Sequence, residues 1–307
     1  MKIAVIGAGA MGSIYGSYLS KHNEVYLVDN KQNVVDAINK DGLKLQENGL
    51  DVLYRPKAVT SVEGIGKVDL LILFVKSLYS KVALEENKGM IDSKTYVMTL
   101  QNGSGHEDII SEVVSVERII IGTTEDNGAI LKLGHVRHGG TGRTNIGMLV
   151  EDKDKILNTI KKCFDDCGFD TKVHDNIQKL IWDKLFTNVS LSAITGVLQV
   201  RMGFIAENPS AWNLAKQLIK EAIAVSNEMG LVFDEEIVLS KVKKASEGSP
   251  NGCTSIYTDL NNGRLTEVDT ISGSVVRAAK KYGVEVPSHE FIVNMVHAME
   301  QRNNLKS

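Results

Sequence analysis

The sequence predicts an α/β fold in two parts, with strands and helices alternating over residues 1–173 and helices dominating residues 174–307. Three observations predict it. The glycine-rich run Gly7-Ala8-Gly9-Ala10-Met11-Gly12 directly follows the apolar run Ile3-Ala4-Val5-Ile6. Val68 to Val75 is almost continuously apolar, as expected of a strand buried on both faces of a parallel sheet. From about Asn176 onward helical periodicity takes over and no strand signal is strong.

The elements follow in order. Ile3–Ile6 is a strand, and residues 7–12 form the G-x-G-x-x-G turn into a helix. Gly7 makes the tight turn, Gly9 lets the backbone approach a pyrophosphate, and Gly12 lets helix and strand pack closely. The helix N-terminus presents backbone N–H groups to that anion. A second strand, Val25–Val28, ends at Asp29, where a ribose-binding carboxylate belongs. The first part is therefore a Rossmann-type dinucleotide-binding domain. A helix ends near Gly42, and Leu43–Leu53 reads as a hairpin around Asn48-Gly49. The strand Val68–Val75 runs into Lys76, Tyr96–Leu100 into Gln101-Asn102-Gly103, and Arg118–Gly122 is a further strand. Ligands of open parallel sheets bind beyond the carboxyl ends of strands, where Lys76 and Asn102 fall. Gly134–Leu149 is read as antiparallel strands closing one edge of the sheet, with His135 and His138 as strand or surface positions rather than a metal pair. Phe169–Val173 is strand-like and marks the boundary between the two parts.

Bulk properties narrow the function. A formal charge of −3 gives no electrostatic case for nucleic acid or an anionic membrane. Three cysteines, Cys163, Cys167 and Cys253, are too few for a disulfide framework and suit a reducing cytoplasm. Cys163 and Cys167 lie four apart on an expected helix and read as packing residues, so no metal is expected. No signal peptide is apparent, and no apolar run approaches the length of a membrane span.

Two segments of the second part carry polar residues that chemistry could use. In Ile181–Gly196, Trp182, Leu185, Phe186 and Val189 make one apolar helical face, and Lys184, Asn188 and Ser192 make a polar stripe at i, i+4 and i+8. A ligand cavity or a solvated face would each satisfy that stripe. In Thr266-Glu267-Val268-Asp269, Thr266 is an expected N-cap and Asp269 completes a capping box. Glu267 is then left to face a cleft, or to complement the helix dipole. The helix runs through Ile271, Val275, Ala278 and Tyr282, with Lys280 and Lys281 in its last turn and Gly283 beyond.

From Met1 to about Ala298 the chain resembles the ketopantoate reductases (2-dehydropantoate 2-reductases). The resemblance rests on G-A-G-A-M-G at 7–12, V-K-S at 75–77, Q-N-G at 101–103, W-D-K-L-F-T-N at 182–188, T-S-I-Y-T-D-L at 254–260 and T-E-V-D at 266–269. It implies that Lys184 is the general acid and that Glu267 supports the active site. It also implies that Asn188 and Ser255 bind substrate, that Asn102 lies near nicotinamide and substrate, and that Lys76 contacts the cofactor beside Gly7, Ala8, Gly9, Ala10, Met11 and Gly12. Ser192 stands where the family often carries the asparagine that contacts the substrate hydroxyl. The NADPH-dependent members usually place an arginine just past the second strand, and here the local sequence is Val28-Asp29-Asn30-Lys31. Asp29 would repel a 2′-phosphate and suits a free ribose diol, whereas Lys31 could pair with the phosphate. The run L-Q-N-G-S-G-H-E-D at 100–108 looks like that of NADH-dependent D-2-hydroxyacid dehydrogenases related to the family.

The resemblance implies reduction of ketopantoate to pantoate, a step towards pantothenate and coenzyme A. NADPH is the cofactor it implies first, with NADH close behind. A D-2-hydroxyacid dehydrogenase acting on branched or aromatic 2-oxo acids is the alternative. A non-catalytic dinucleotide sensor is a third reading, and the joint presence of Lys184, Asn188 and Glu267 argues against it. The expected partner is a small 2-oxo acid, and a homodimer is left open.

Overall fold

The computed structural model describes residues 1–304, so the last three positions of the expected second part lie outside the described residues. The chain divides into two compact units, residues 1–101 with 106–177, and residues 102–105 with 178 onward.

The first unit is built on β1 (Lys2–Ile6), β2 (Glu24–Val28), β3 (Leu43–Glu47), β4 (Leu50–Tyr54), β5 (Lys57–Val59), β6 (Leu70–Leu73), β7 (Tyr96–Thr99), β8 (Ile119–Thr124), β9 (Asn127–Lys132), β10 (His135–Gly140), β11 (Arg143–Gly147) and β12 (Asp170–Val173). Its helices are α1 (Ala10–Leu19), α2 (Gln32–Asp41), α3 (Ser80–Asn87), α4 (His106–Ile110) and α5 (Ile156–Cys167). The main sheet has the order β12-β11-β8-β7-β6-β1-β2-β5. Neighbours in it are parallel except β8 and β11. All four residues of β6 are buried, as the continuous apolar run requires, although only Leu70–Leu73 of the expected Val68–Val75 belong to the strand. Tyr15 on α1 stacks on Phe169 at 4.5 Å and shares a 2.6 Å hydrogen bond with Thr144 on β11, fixing α1 against the sheet.

The expectation for Gly134–Leu149 needs correction. Of this segment only β11 enters the main sheet, antiparallel to β8, and it is not the edge, because β12 pairs parallel on its far side. β10 leaves it for a second sheet of order β4-β3-β10-β9, where it pairs parallel with β3 and antiparallel with β9. The hairpin of β3 and β4 turns at Asn48 (φ 49°) and Gly49 (φ 81°), the backbone of a type I′ turn. It offers β3 as an edge that β10 completes.

The second unit contains α6 (Ile177–Thr187), which begins at the last residue of the first unit, then α7 (Ala193–Leu198), α8 (Gly203–Glu207), α9 (Pro209–Glu228), α10 (Glu235–Gly248), α11 (Ser255–Asn261), α12 (Ser272–Tyr282) and α13 (Pro287–Asn304). Short polar residues start three of them. Asn208 accepts hydrogen bonds from the Ser210 and Ala211 N–H groups, with Pro209 in the first turn of α9. Asp234 caps α10 through the Ile237 N–H, and Thr254 caps α11 through the Tyr257 N–H. The core gathers Trp182, Leu185, Phe186 and Val189, all buried, with Ala215, Ile219 and Ala222 of α9.

Two local expectations fail here. The expected continuous helix through Gly196 is interrupted by a π-helical segment, Asn188–Ser192. Asn188 keeps its place one α-helical turn after Lys184, but the wider turn that follows changes the register of Ser192, and such segments frequently mark functional sites. The expected capping box at Thr266–Asp269 does not form, because α12 starts only at Ser272 and residues 266–271 make an irregular turn. Thr266 Oγ1 instead accepts the Val268 N–H at 3.2 Å, and exposed Asp269 pairs with His297 at 3.1 Å. The C-terminal end of α12 is as expected, with Lys280 and Lys281 in the last turn and Gly283 in the left-handed conformation.

Candidate active site

The first unit carries the candidate dinucleotide-binding residues. The chain leaves β1 at Gly7, whose φ of 99° would strain any other residue. A Cβ there would also sit 3.0 Å from the Phe74 and Val75 backbone. The turn thus runs tightly against the chain leaving β6, which leads to Lys76. These two carboxyl ends adjoin where the strand order reverses direction, the usual place for a ligand in such a sheet. At Gly12 a Cβ would lie 1.8 Å from the Gly7 carbonyl oxygen, so only hydrogen fits. Gly9 is different, because nothing lies within 4 Å of where its Cβ would be. It starts α1 with no side-chain cap and no acidic residue in the first turn. Open space beside uncapped N–H groups is what a pyrophosphate requires, so the loop fits a dinucleotide. Ala10 and Met11 pack partly on the core and leave their backbone at the loop.

Asp29 holds this loop. Its Oδ2 accepts the Ala8 N–H at 2.9 Å and its Oδ1 accepts the Lys31 N–H at 3.0 Å. The carboxylate is therefore pinned at the end of β2. Lys31, exposed, precedes α2.

Lys76 is half-buried in extended conformation just before a short 3-10 turn at Ser77–Tyr79. Gln101 fixes this stretch by donating to the Val75 carbonyl at 2.6 Å and to Ser80 Oγ at 2.9 Å, while Thr99 Oγ1 donates to its Oε1 at 2.8 Å. Sequence reasoning missed Gln101 as a positioning residue. The available signal was a buried-type polar side chain at the end of an apolar strand.

The second unit carries the other candidate residues. Lys184 and Asn188 are half-buried on α6 and its π-helical extension, and Ser192 is 6% exposed. Neighbouring Asp183 is ion-paired with Lys241 of α10. Ser255 opens α11 and is exposed. α11 is docked on α7 through a 2.8 Å bond between Thr254 and Thr195 and through Ile256 over Gly196, where a Cβ would come within 2.4 Å. The segments bearing Ser192 and Ser255 are thereby joined.

The loop that bears Asn102 is held on the turn that bears Glu267 by a separate device. The loop 102–105 belongs to the second unit, where the Ser104 N–H donates to the Thr270 carbonyl at 2.9 Å. Gly103 has φ of 101°, and its Cβ would lie 2.1 Å from that same oxygen. Only glycine lets the loop lie on the turn that carries Glu267, which is half-buried. Thr270 closes the turn, donating from both N–H (3.1 Å) and Oγ1 (3.2 Å) to the Glu267 carbonyl.

His135 and His138 are strand residues of β10. His135 pairs with Asp51 at 3.0 Å, and buried His138 lies between Asp126 at 2.9 Å and Glu47 at 3.3 Å. The hydrogen bond to Asp126, with help from Glu47, outweighs burial and raises the His138 pKa above its ordinary value. Among the described residues no group of three or more His, Cys, Asp or Glu is arranged to hold a metal ion, and no helix is long and apolar enough to cross a membrane.

A family described as "Ketopantoate reductase PanE/ApbA" matches residues 3–151, and its C-terminal counterpart matches residues 176–300. The chain is 32% identical to the 2-dehydropantoate 2-reductase of Lactococcus lactis subsp. lactis over 98% of both chains. It is also 32% identical to that of Pyrococcus horikoshii, again over 98% of both. Among solved structures it is similar to D-mandelate dehydrogenase in complex with NADH and anilino(oxo)acetate, with a TM-score of 0.92 and 32% identity over 99% of both chains. It is likewise similar to a ketopantoate reductase from Ralstonia eutropha JMP134, with a TM-score of 0.89 and 25% identity over 99% of this chain and 100% of that one. Fold, glycine turn and relatives together define an NAD(P)-dependent oxidoreductase acting on CH–OH groups, with a nicotinamide dinucleotide as cofactor. Matched in both halves and over nearly its whole length, the chain belongs to the ketopantoate reductase family.

Proposed function

We propose that this chain is a 2-dehydropantoate 2-reductase, reducing the carbonyl of ketopantoate to the hydroxyl of pantoate. The observation that supports this most is the α6 segment. Trp182, Leu185, Phe186 and Val189 are fully packed while Lys184 and Asn188 stay half-open, and the helix widens to a π turn at Asn188. A helix needed only for packing has no use for either feature.

A nicotinamide, when bound, supplies the hydride. The residues that would hold the dinucleotide are Gly7 to Gly12, Asp29 or Lys31 at the ribose, Lys76, and Asn102. Lys184 Nζ gives a proton to the oxygen that was the carbonyl. Asn188 orients that oxygen and the ammonium, and the Ser255 hydroxyl takes the substrate carboxylate. Ser192 is shorter than the asparagine common in the family and leaves more room at the substrate hydroxyl. A Glu267 carboxylate beside Lys184 would favour the charged ammonium, which burial alone disfavours.

A second reading is supported by Asp29. Its fixed carboxylate would repel a 2′-phosphate, and Lys31 lacks the planar fork with which arginine binds phosphate. This favours NADH and, with the NADH-bound D-mandelate dehydrogenase among similar structures, a D-2-hydroxyacid dehydrogenase. The test is the loss of reduced-nicotinamide absorbance with ketopantoate and a panel of branched and aromatic 2-oxo acids, each with NADPH and NADH. Highest kcat/KM on ketopantoate supports the first reading. Highest kcat/KM on an aromatic or branched acid with NADH, relaxed towards NADPH by Asp29→Ala, supports the second. No turnover of any 2-oxo acid defeats both.

A further inference from the structure

The turn at residues 266–271 belongs to no helix, yet both of its ends are held by one helical turn of α13. Glu300, 7% exposed, accepts the Thr266 N–H on Oε1 at 2.7 Å. Its Oε2 meets His297 Nδ1 at 2.9 Å, and His297 Nε2 meets Asp269 Oδ1 at 3.1 Å. The chain of contacts therefore runs Thr266, Glu300, His297, Asp269 and spans Glu267. Arg277 of α12 donates to the Asp269 carbonyl at 2.7 Å, and Ser104 holds Thr270. Two carboxylates on one imidazole need both ring nitrogens to donate, which only the imidazolium can do. Burial works against that charge. The bonds to Glu300 and Asp269 more than offset it, and the His297 pKa lies above its ordinary value.

We infer that His297 and Glu300 are positioning residues, which set the place of the Glu267 carboxylate by clamping the turn on either side of it. The inference rests on the reading of Glu267 as part of the catalytic machinery. A helix of eighteen residues could cap or cover the turn with apolar side chains alone. It instead bridges the turn through His297 and Glu300 to Thr266 and Asp269, on either side of Glu267, adding to the bonds that the turn makes to the Glu267 carbonyl itself. Packing would tolerate a small shift of such a turn, whereas catalysis would not, because displacing a catalytic group by about 1 Å can lower a rate by about a hundredfold.

The experiment is a double-mutant cycle of His297→Asn and Glu267→Gln on the full chain, with Glu300→Gln as a second clamp variant that can still accept the Thr266 N–H. Measured are kcat, KM for the 2-oxo acid, KM for the cofactor, and Tm. His297→Asn should lower kcat about tenfold, the scale of losing an orienting neighbour, with the cofactor KM unchanged. In the Glu267→Gln background it should cost nothing further, since the group it positions is gone. Glu300→Gln should show the same background dependence. The same fall in kcat in both backgrounds overturns the inference, as does a single His297→Asn variant that lowers only Tm. Wild-type kcat in Glu267→Gln alone overturns the reading of Glu267 itself, and the positioning role falls with it.

Discussion

Replacing Gly9 and Gly12 by alanine, one at a time, adds the same methyl group three residues apart and should give opposite phenotypes. At position 12 the new Cβ would stand 1.8 Å from the Gly7 carbonyl oxygen, more than an ångström inside the closest approach real side chains make. Gly7 has little room to yield, since it runs so close to the Phe74 and Val75 backbone that a Cβ on it would sit at 3.0 Å, and its N–H is bonded to the Val28 carbonyl at 2.7 Å. Overpacking of this kind costs about 1–3 kcal/mol and more when backbone must move, which corresponds to a Tm lower by on the order of 10 °C. At position 9 the backbone φ is −67°, ordinary for alanine, and the methyl meets no protein atom. The loss there is the small N-cap preference of glycine over alanine, about 1 kcal/mol or less. The methyl would, however, occupy the space into which a pyrophosphate must come. Displacing it from one charge-assisted hydrogen bond weakens binding by about 1.5–3 kcal/mol, or roughly ten- to a hundredfold in Kd. Tm by circular dichroism and Kd by quenching of reduced-nicotinamide fluorescence report the two effects separately. The reasoning is refuted if Gly9→Ala binds the dinucleotide as tightly as wild type, or if Gly12→Ala melts with it.

Three further outcomes are expected. Lys184→Ala should lower kcat by about two to four orders of magnitude with little change in cofactor affinity, and near-normal turnover would remove Lys184 from the mechanism. Gly103→Ala combines a positive φ with a Cβ 2.1 Å from the Thr270 oxygen, so it should release the 102–105 loop. It should cost about 2–4 kcal/mol and depress kcat as well, read by urea unfolding and steady-state kinetics, and an unchanged unfolding midpoint would count against it. His138, whose pKa is raised by Asp126 and Glu47, binds a proton more tightly folded than unfolded. Its contribution to stability is therefore full below its unfolded pKa, near 6.5, and is lost as pH rises through the higher folded value. Tm of His138→Asn relative to wild type should converge towards alkaline pH, and a gap that is constant across the range would exclude the linkage.

The sequence by itself determined the elements whose signal is local. The turn at 7–12, the buried run at Leu70–Leu73, the Asn48-Gly49 hairpin and the Gly283 stop each follow from a backbone or burial requirement expressed within a few residues. The family-specific motifs also named Lys184, Asn188, Ser255 and Glu267 as candidates, because their spacing along the chain is itself the signal. What only the tertiary structure decided are partnerships between distant segments. β10 joins β3 rather than the main sheet because an edge made ninety residues earlier needs a partner, and no local pattern records which strand will supply it. Thr266–Asp269 has the letters of a capping box, yet Glu300 and His297 compete for its groups from α13 and hold it as a turn. Asp29 reads in the sequence as a ribose ligand, and the structure makes it a strut of the glycine loop, since its Oδ2 reaches an amide twenty-one residues away. A side chain's hydrogen-bonding capacity is legible in the sequence, but the group that satisfies it is chosen by proximity, and proximity exists only once the chain has folded.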